Sequence, residues 1–200
     1  MRFDLHVHTT CSPCSVLKPA EILAHARARG LDGVCITDHD TTDILSHISE
    51  GFQPDGLFVV VGMEYTTRQG DFLVFGDVGS LSSGMHARQL LDRVGQMGGA
   101  VVAAHPFRGW RPVDPVLFTD GLCTIAEVSN GRNTVLENDQ ALSLADRFRL
   151  TRVAGSDAHS LDELGRCPTV FTAPIASTTD LVNALNHGHC MPLTDHRKVA

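Results

Sequence analysis

Short apolar runs that end on an imidazole or a carboxylate recur along this 200-residue chain, and no other feature limits its fold as strongly. The first closes on His6-Val7-His8, and Val34-Cys35-Ile36 leads into Thr37-Asp38-His39-Asp40. Phe58 to Val61 reaches Gly62-Met63-Glu64, Val101-Val102-Ala103-Ala104 delivers His105, and Val153-Ala154-Gly155 delivers Ser156-Asp157-Ala158-His159. Runs of this kind, spaced by helical patterns and glycine stops, are the sequence form of repeated βα units. Strands are expected at 2–7, 33–37, 57–62, 72–75, 100–104, 122–128, 152–155 and 169–171, and helices at 19–29, 42–50, 87–97, 135–148 and 179–187. The expected fold class is α/β, as one domain over 1–191 with a polar tail at 192–200 and an exposed Gly/Ser-rich loop at 76–85.

Parallel strands joined by helices carry all their C-terminal ends to one face, the face on which such folds build sites. The run-ending residues therefore converge in space. His6 and His8 alternate on one strand and project to the same side, about 6–7 Å apart along the backbone. His39 lies between two carboxylates that can orient its ring through the second nitrogen. Mixed imidazole and carboxylate ligands suit zinc, manganese or iron, and their number exceeds what one tetrahedral zinc needs. A cluster of two or three divalent ions held by His6, His8, His39, Glu64, His105, Asp157 and His159 is the expectation. Two metals about 3.5–4 Å apart suit phosphate-ester hydrolysis, because one lowers the pKa of bound water to give a hydroxide while the pair neutralises phosphoryl charge. By contrast His25, His47, His86, His187 and His189 lie on or beside helices, away from the strand-end face, and read as structural.

Charge narrows the substrate. Lys and Arg number 16 against 23 Asp and Glu, a net −7, so no global basic field exists to hold a long nucleic acid. No apolar run approaches the roughly 20 residues that cross a bilayer, and the first ten residues carry Asp4, His6 and His8 where a signal peptide has its apolar centre. A cytoplasmic protein with its six cysteines as thiols is expected. Arg108, three residues after His105, and Arg132, at another strand end, are the guanidiniums available for a forked contact with phosphate, with ordinary surface ion pairing as the alternative. Asp38, Asp40 or a metal-bound water could supply the proton to the leaving group.

Taken in order, Asp4-Leu5-His6-Val7-His8-Thr9, Thr37-Asp38-His39, the Glu64 turn, Ala104-His105-Pro106 and Gly155-Ser156-Asp157-Ala158-His159 resemble the motifs of the PHP family, named for polymerase and histidinol phosphatase. The following Ser160-Leu161-Asp162-Glu163-Leu164-Gly165 is similar to its small metal-dependent phosphoesterases. The resemblance implies a distorted (β/α)7 barrel in which His6, His8, Glu64 and Asp157 hold one metal, Glu64 bridges to a second held by His105, and His39 with His159 contribute to a third. It implies a hydrolase of phosphate esters acting on a small phosphorylated substrate. The alternatives are a metal-binding module with a regulatory or scaffolding role, or a hydrolase of small nucleotide phosphodiesters. Three positions depart from the family's common pattern. Cys14 stands where many members have an aspartate ligand, Asp71 stands where a histidine often precedes the fourth strand, and the 41 residues from Glu64 to His105 leave no room for an inserted domain. Glu127 resembles the family's acidic strand-end residue and is read as supporting the ligands rather than as one of them.

Overall fold

The first strand, β1 (Arg2–Val7), is buried at every position after Arg2, and its side chains divide by the period of two. Phe3 and Leu5 enter an apolar cluster with residues of eight other strands and the last helix, whereas Asp4 and His6 are buried polar groups. This computed structural model describes residues 1–193, so most of the tail expected at 192–200 lies outside the described residues. After β1 come α1 (Pro19–His25), β2 (Gly33–Ile36), β3 (Gly51–Phe52), β4 (Phe58–Val61), β5 (Met63–Thr67) and β6 (Gly70–Phe75). The second half holds α2 (Ala87–Gln96), β7 (Ala100–Ala103), α3 (Val116–Thr119), β8 (Ile125–Asn130), α4 (Val135–Phe148), β9 (Thr151–Gly155), β10 (Thr169–Phe171), α5 (Thr178–Asn186) and β11 (Cys190–Pro192).

The strands form two sheets, ordered β11-β10-β1-β2-β4-β3 and β5-β6-β7-β8-β9. Pairing is parallel along β1-β2-β4 and β7-β8-β9, and antiparallel where β10, β11, β3 and the β5-β6-β7 meander attach. The architecture is therefore mixed α/β. No closed ring of strands forms among the described residues, so the expected (β/α)7 barrel is met only at the level of α/β. One physical reason is the β5-β6 hairpin, whose antiparallel pairs Glu64 with Leu73 and Thr66 with Asp71 take the place of a βα unit.

Backbone hydrogen bonds stitch the two sheets together at their C-terminal ends. On one side His8 N–H donates to Ala158 O at 2.9 Å and Ala158 N–H to His6 O at 3.2 Å. On the other, Gly62 N–H donates to Ile36 O at 2.8 Å and Glu64 N–H to Asp38 O at 3.1 Å. These seams fall on the residues singled out by their chemistry, so the pairing that joins the sheets also sets the register of those side chains. One apolar cluster draws on both sheets and α5. A second packs α2, α3 and α4 on the five-stranded sheet, and a third packs α1 on the six-stranded one.

The helix expected at 42–50 shortens to one 3-10 turn, Asp43–Ser46. Only two of its apolar residues, Ile44 and Ile48, are buried while Leu45 is exposed, too little to hold an isolated helix by tertiary packing. No described helix is long and apolar enough to cross a membrane.

Candidate metal centre

Each seam delivers ligand-type atoms to one place. Nε2 of His6 and Nε2 of His8 lie 3.0 Å apart, and both face Oε2 of Glu64, at 3.2 and 3.1 Å. Oδ1 of Asp157 stands 3.5 Å from the first and 3.3 Å from the second. The carboxylate of Glu64 has two sides: Oε2 also meets Nδ1 of His39 at 3.2 Å, and Oε1 meets Nε2 of His105 at 2.9 Å. His159 completes the cluster, its ring 4.4 Å from that of His8. Three overlapping groups of ligand atoms result, His6-His8-Asp157, His6-Glu64-His105 and His8-His39-His159, with the atoms of each within 4.8 Å of one another. All seven residues expected to meet are thus brought together.

The surroundings hold these side chains in orientation. Glu127, fully buried on β8, accepts from the backbone N–H of His105 at 2.8 Å and from Asn130 Nδ2 at 2.9 Å, and its Oε1 is 3.1 Å from Nδ1 of His6. That contact takes up the outer nitrogen of His6 and leaves Nε2 turned inward, the usual arrangement behind a metal-binding imidazole. Nδ1 of His159 likewise lies 2.8 Å from the Asp157 carbonyl. His105 and Asp157 adopt φ of 31° and 55°, a left-handed region that costs a side chain with Cβ some free energy and is tolerated where neighbours enforce it. Gly155 has a different constraint, because a Cβ there would stand 2.4 Å from Cβ of His6 and 2.5 Å from Oε1 of Glu127.

Burial alone would raise the Glu64 carboxyl, but the charge of His6 and hydrogen bonds from His105, His6 and His8 outweigh it and hold Glu64 well below the usual range. Asp157 is lowered in the same way, against burial, by His6 and His8, with Arg108 adding to the effect. His6 is the converse: burial opposes its charge, yet Asp157, Glu127 and Glu64 raise its pKa well above the ordinary value. Burial and the charge of His8 push His159 down to about 4. The buried carboxylates and the imidazoles of His6 and His8 thus shift one another in opposite directions.

The cluster forms one wall of a cavity of about 550 Å³ that is also lined by Cys14, Asp71, Arg108, Trp110, Arg111 and Arg132. Arg108 is committed to its neighbours, with Nη2 donating to Asp157 Oδ2 at 2.7 Å, Asn130 Oδ1 at 2.9 Å and Asn133 Oδ1 at 3.0 Å. Arg132 is exposed, with Glu163 Oε1 3.9 Å away. Asp38 does not line the cavity; it is buried and accepts from Thr9 N–H at 2.7 Å, Thr9 Oγ1 at 2.6 Å and the Ser12 hydroxyl. The loop at 76–85 is tied back by Tyr65, whose hydroxyl donates to Ser82 O at 2.6 Å, and does not line the cavity. Cys14 lines it but belongs to none of the three ligand groups. Sequence reasoning missed Trp110 and Arg111, which share the turn after His105 with Arg108; the second guanidinium in Arg108-Gly109-Trp110-Arg111 was the available signal.

The donor set fits divalent metal. Imidazole nitrogens and carboxylate oxygens crowd one buried point, where they repel unless protons or a cation intervene. Nδ1 of His105 and Oδ1 of Asp71, both buried, find no hydrogen-bond partner among the described residues. The residues that would hold metal are His6, His8, Glu64 and Asp157, with His105, His39 and His159 at the flanks.

Comparison with known proteins follows the same line. A family model described as PHP domain matches residues 4–141, and one described as PHP-associated matches residues 135–190. An uncharacterized protein of Methanocaldococcus jannaschii is 27% identical over 180 residues, 86% of this chain and 71% of that protein. Among solved structures, PsfC from Pseudomonas syringae has a TM-score of 0.79 at 20% identity, covering 98% of this chain and 92% of that one. A two-domain protein of Bacteroides vulgatus, described as containing a predicted PHP-like metal-dependent phosphoesterase, has a TM-score of 0.73 at 17% identity, over 96% of this chain and 64% of that one.

Proposed function

The chain belongs to the PHP domain family, and on that premise we propose that it is a metal-dependent phosphoesterase that hydrolyses small phosphate esters at a centre of two or three divalent ions. The observation that carries this reading is the double-sided placement of Glu64, with Oε2 3.2 and 3.1 Å from His6 and His8, and Oε1 2.9 Å from His105. A carboxylate set between two groups of imidazoles could be shared by neighbouring cations, with His6 and His8 on one side and His105 on the other. Zinc, manganese or iron would each accept this set. When bound, such ions would supply the Lewis acidity that polarises a phosphoryl oxygen and lowers the pKa of attacking water.

The chain's own residues would do the rest. Glu127 fixes the tautomer of His6 and the backbone of His105, and Arg108 holds Asp157 in place through its 2.7 Å contact. Arg132, at the exposed rim, is free to meet an anionic substrate. Asp38 is spent on three donors from Thr9 and Ser12, and Asp40, exposed, accepts from Thr66 N–H at 2.8 Å. Neither lines the cavity, which favours water over these carboxylates as the source of the leaving group's proton. The net charge of −7 and a cavity of about 550 Å³ fit a small phosphorylated molecule in the cytoplasm better than a long polynucleotide.

The test is a phosphate-release screen on protein whose metal content has been measured, using sugar, amino-acid and nucleotide monoesters beside small phosphodiesters. Release from one class that disappears with chelator supports the reading. Full metal occupancy with no release from any ester would instead favour a regulatory or scaffolding module.

A further inference from the structure

We propose that Arg111, clamped by Asp71, is the residue that grips the substrate's phosphoryl group across the cavity from the metal ligands; the inference rests on the phosphoesterase reading and deepens it.

Three guanidiniums line the cavity, and their surroundings differ. Arg108 has 11% of its side chain exposed and spends Nε and Nη2 on Asn133, Asn130 and Asp157, so its part is to position Asp157. Arg132 is 40% exposed and has no close anchor, so binding must first immobilise it. Arg111 combines the two properties a clamp needs. Its Nε donates to Asp71 Oδ2 and its Nη2 to the Thr67 carbonyl at 3.0 Å, which fixes the plane of the guanidinium. Its Nη1, like that of Arg108, makes no hydrogen bond among the described residues, but its side chain in the cavity wall is 32% exposed against 11% for Arg108. A preoriented fork with unspent donors is the form in which arginine binds phosphate.

Asp71 makes the placement firm. Only 3% exposed, it has one carboxylate oxygen on Arg111 and the other without a partner among the described residues, so Arg111 is the cation that answers its buried charge. Its carbonyl accepts from Ala104 N–H at 3.0 Å, directly before His105, and its strand pairs with the one carrying Glu64. The anchor is thereby built into the same strands as the ligands. Asp71 belongs to none of the three groups of converging ligand atoms.

The test titrates inorganic phosphate into metal-loaded wild type, Arg111→Ala and Asp71→Asn by calorimetry, with the emission of Trp110, the single tryptophan and a residue of the same cavity wall, as a second signal. Metal content is measured on each sample. Arg111→Ala should keep the wild-type metal content and bind phosphate about tenfold or more weakly, the scale of one lost charged hydrogen bond. Asp71→Asn should also keep its metal and weaken phosphate by a smaller factor, because the guanidinium remains but loses its anchor. In turnover, Arg111→Ala should raise KM more than it lowers kcat. Unchanged phosphate affinity in Arg111→Ala overturns the proposal, as does metal loss in Asp71→Asn, which would make that carboxylate a ligand. A metal-loaded wild type that binds no phosphate sinks the phosphoesterase reading and this proposal together, so the two failures are told apart.

Discussion

Nδ1 of His6 lies 3.1 Å from Oε1 of Glu127, and both groups are fully buried. The other oxygen of the same carboxylate accepts from the backbone N–H of His105 at 2.8 Å. One side chain on β8 therefore orients ligands supplied by β1 and by the turn after β7, two elements far apart in the chain. An amide in its place cannot accept from all the donors that Glu127 now satisfies, since half of it becomes a donor itself. Glu127→Gln should leave the fold in place and weaken metal binding about 10- to 100-fold, measured by competition with a chromophoric chelator. Unaltered affinity would remove Glu127 from the account.

The protonation pattern gives a prediction whose sign differs with and without metal. In metal-free protein, His6 and His8 have pKa values raised above 6.5, so the stability they contribute is complete below that pH and is lost as pH rises through their folded values. His159 is lowered from 6.5 to about 4, so its contribution is present above 6.5 and is lost as pH falls toward 4. Glu64 and Asp157, depressed below 4.5 and 3.8, add a further loss on the acid side. Metal-free protein should thus be most stable near pH 6.5, and thermal midpoints should fall on both sides. Metal requires the imidazoles neutral, so loading should move the maximum to higher pH and release protons. A metal-free midpoint that climbs steadily from neutral to alkaline pH would contradict the assigned charges.

Gly155 connects the fold to the site at a single atom's cost. A Cβ there meets His6 at 2.4 Å and Glu127 at 2.5 Å, so Gly155→Ala must displace one ligand or its support. The expectation is a loss of about 1–3 kcal/mol in denaturant titration together with weakened metal binding. Stability and metal affinity both at wild-type values would show that the contact relaxes freely.

Phe3 serves as the contrasting case. Its ring is fully buried, 5.3 Å from Phe171 in an edge-on contact and 6.3 Å from Phe58. Phe3→Ala should cost about 3–5 kcal/mol, since a large cavity remains in the core. Molecules that stay folded should still bind metal, because Phe3 belongs to the apolar cluster and not to the ligand set. Complete metal loss in folded Phe3→Ala would mean that core and site are coupled beyond this account.

Much of this site was legible because its signal is local. His6 and His8 share one face by strand alternation, and Glu64, His105, Asp157 and His159 follow apolar runs directly, so chain order already carried their neighbourhood. The α/β class was legible for the same reason. What was missed depends on partners distant in sequence. Asp71 and Arg111 are 40 residues apart in their ion pair, and Asn133 enters only through its bond to Arg108. The antiparallel β5 was hidden because Met63-Glu64-Tyr65-Thr66-Thr67 reads as the exit from an apolar run, whereas its pairing with β6 gives it a strand. Asp38, one of three candidate proton sources read from the sequence, accepts from the Thr9 and Ser12 hydroxyls, whose approach no local pattern announced.

Elemental analysis of protein prepared without added metal, wild type beside Glu64→Gln, bears most directly on the central claim. The account predicts at least two divalent ions per wild-type chain, and a marked loss in the variant because both flanking groups share that carboxylate. A folded wild type that takes up no zinc, manganese or iron even when these are supplied, or a variant that retains the full complement, would contradict it.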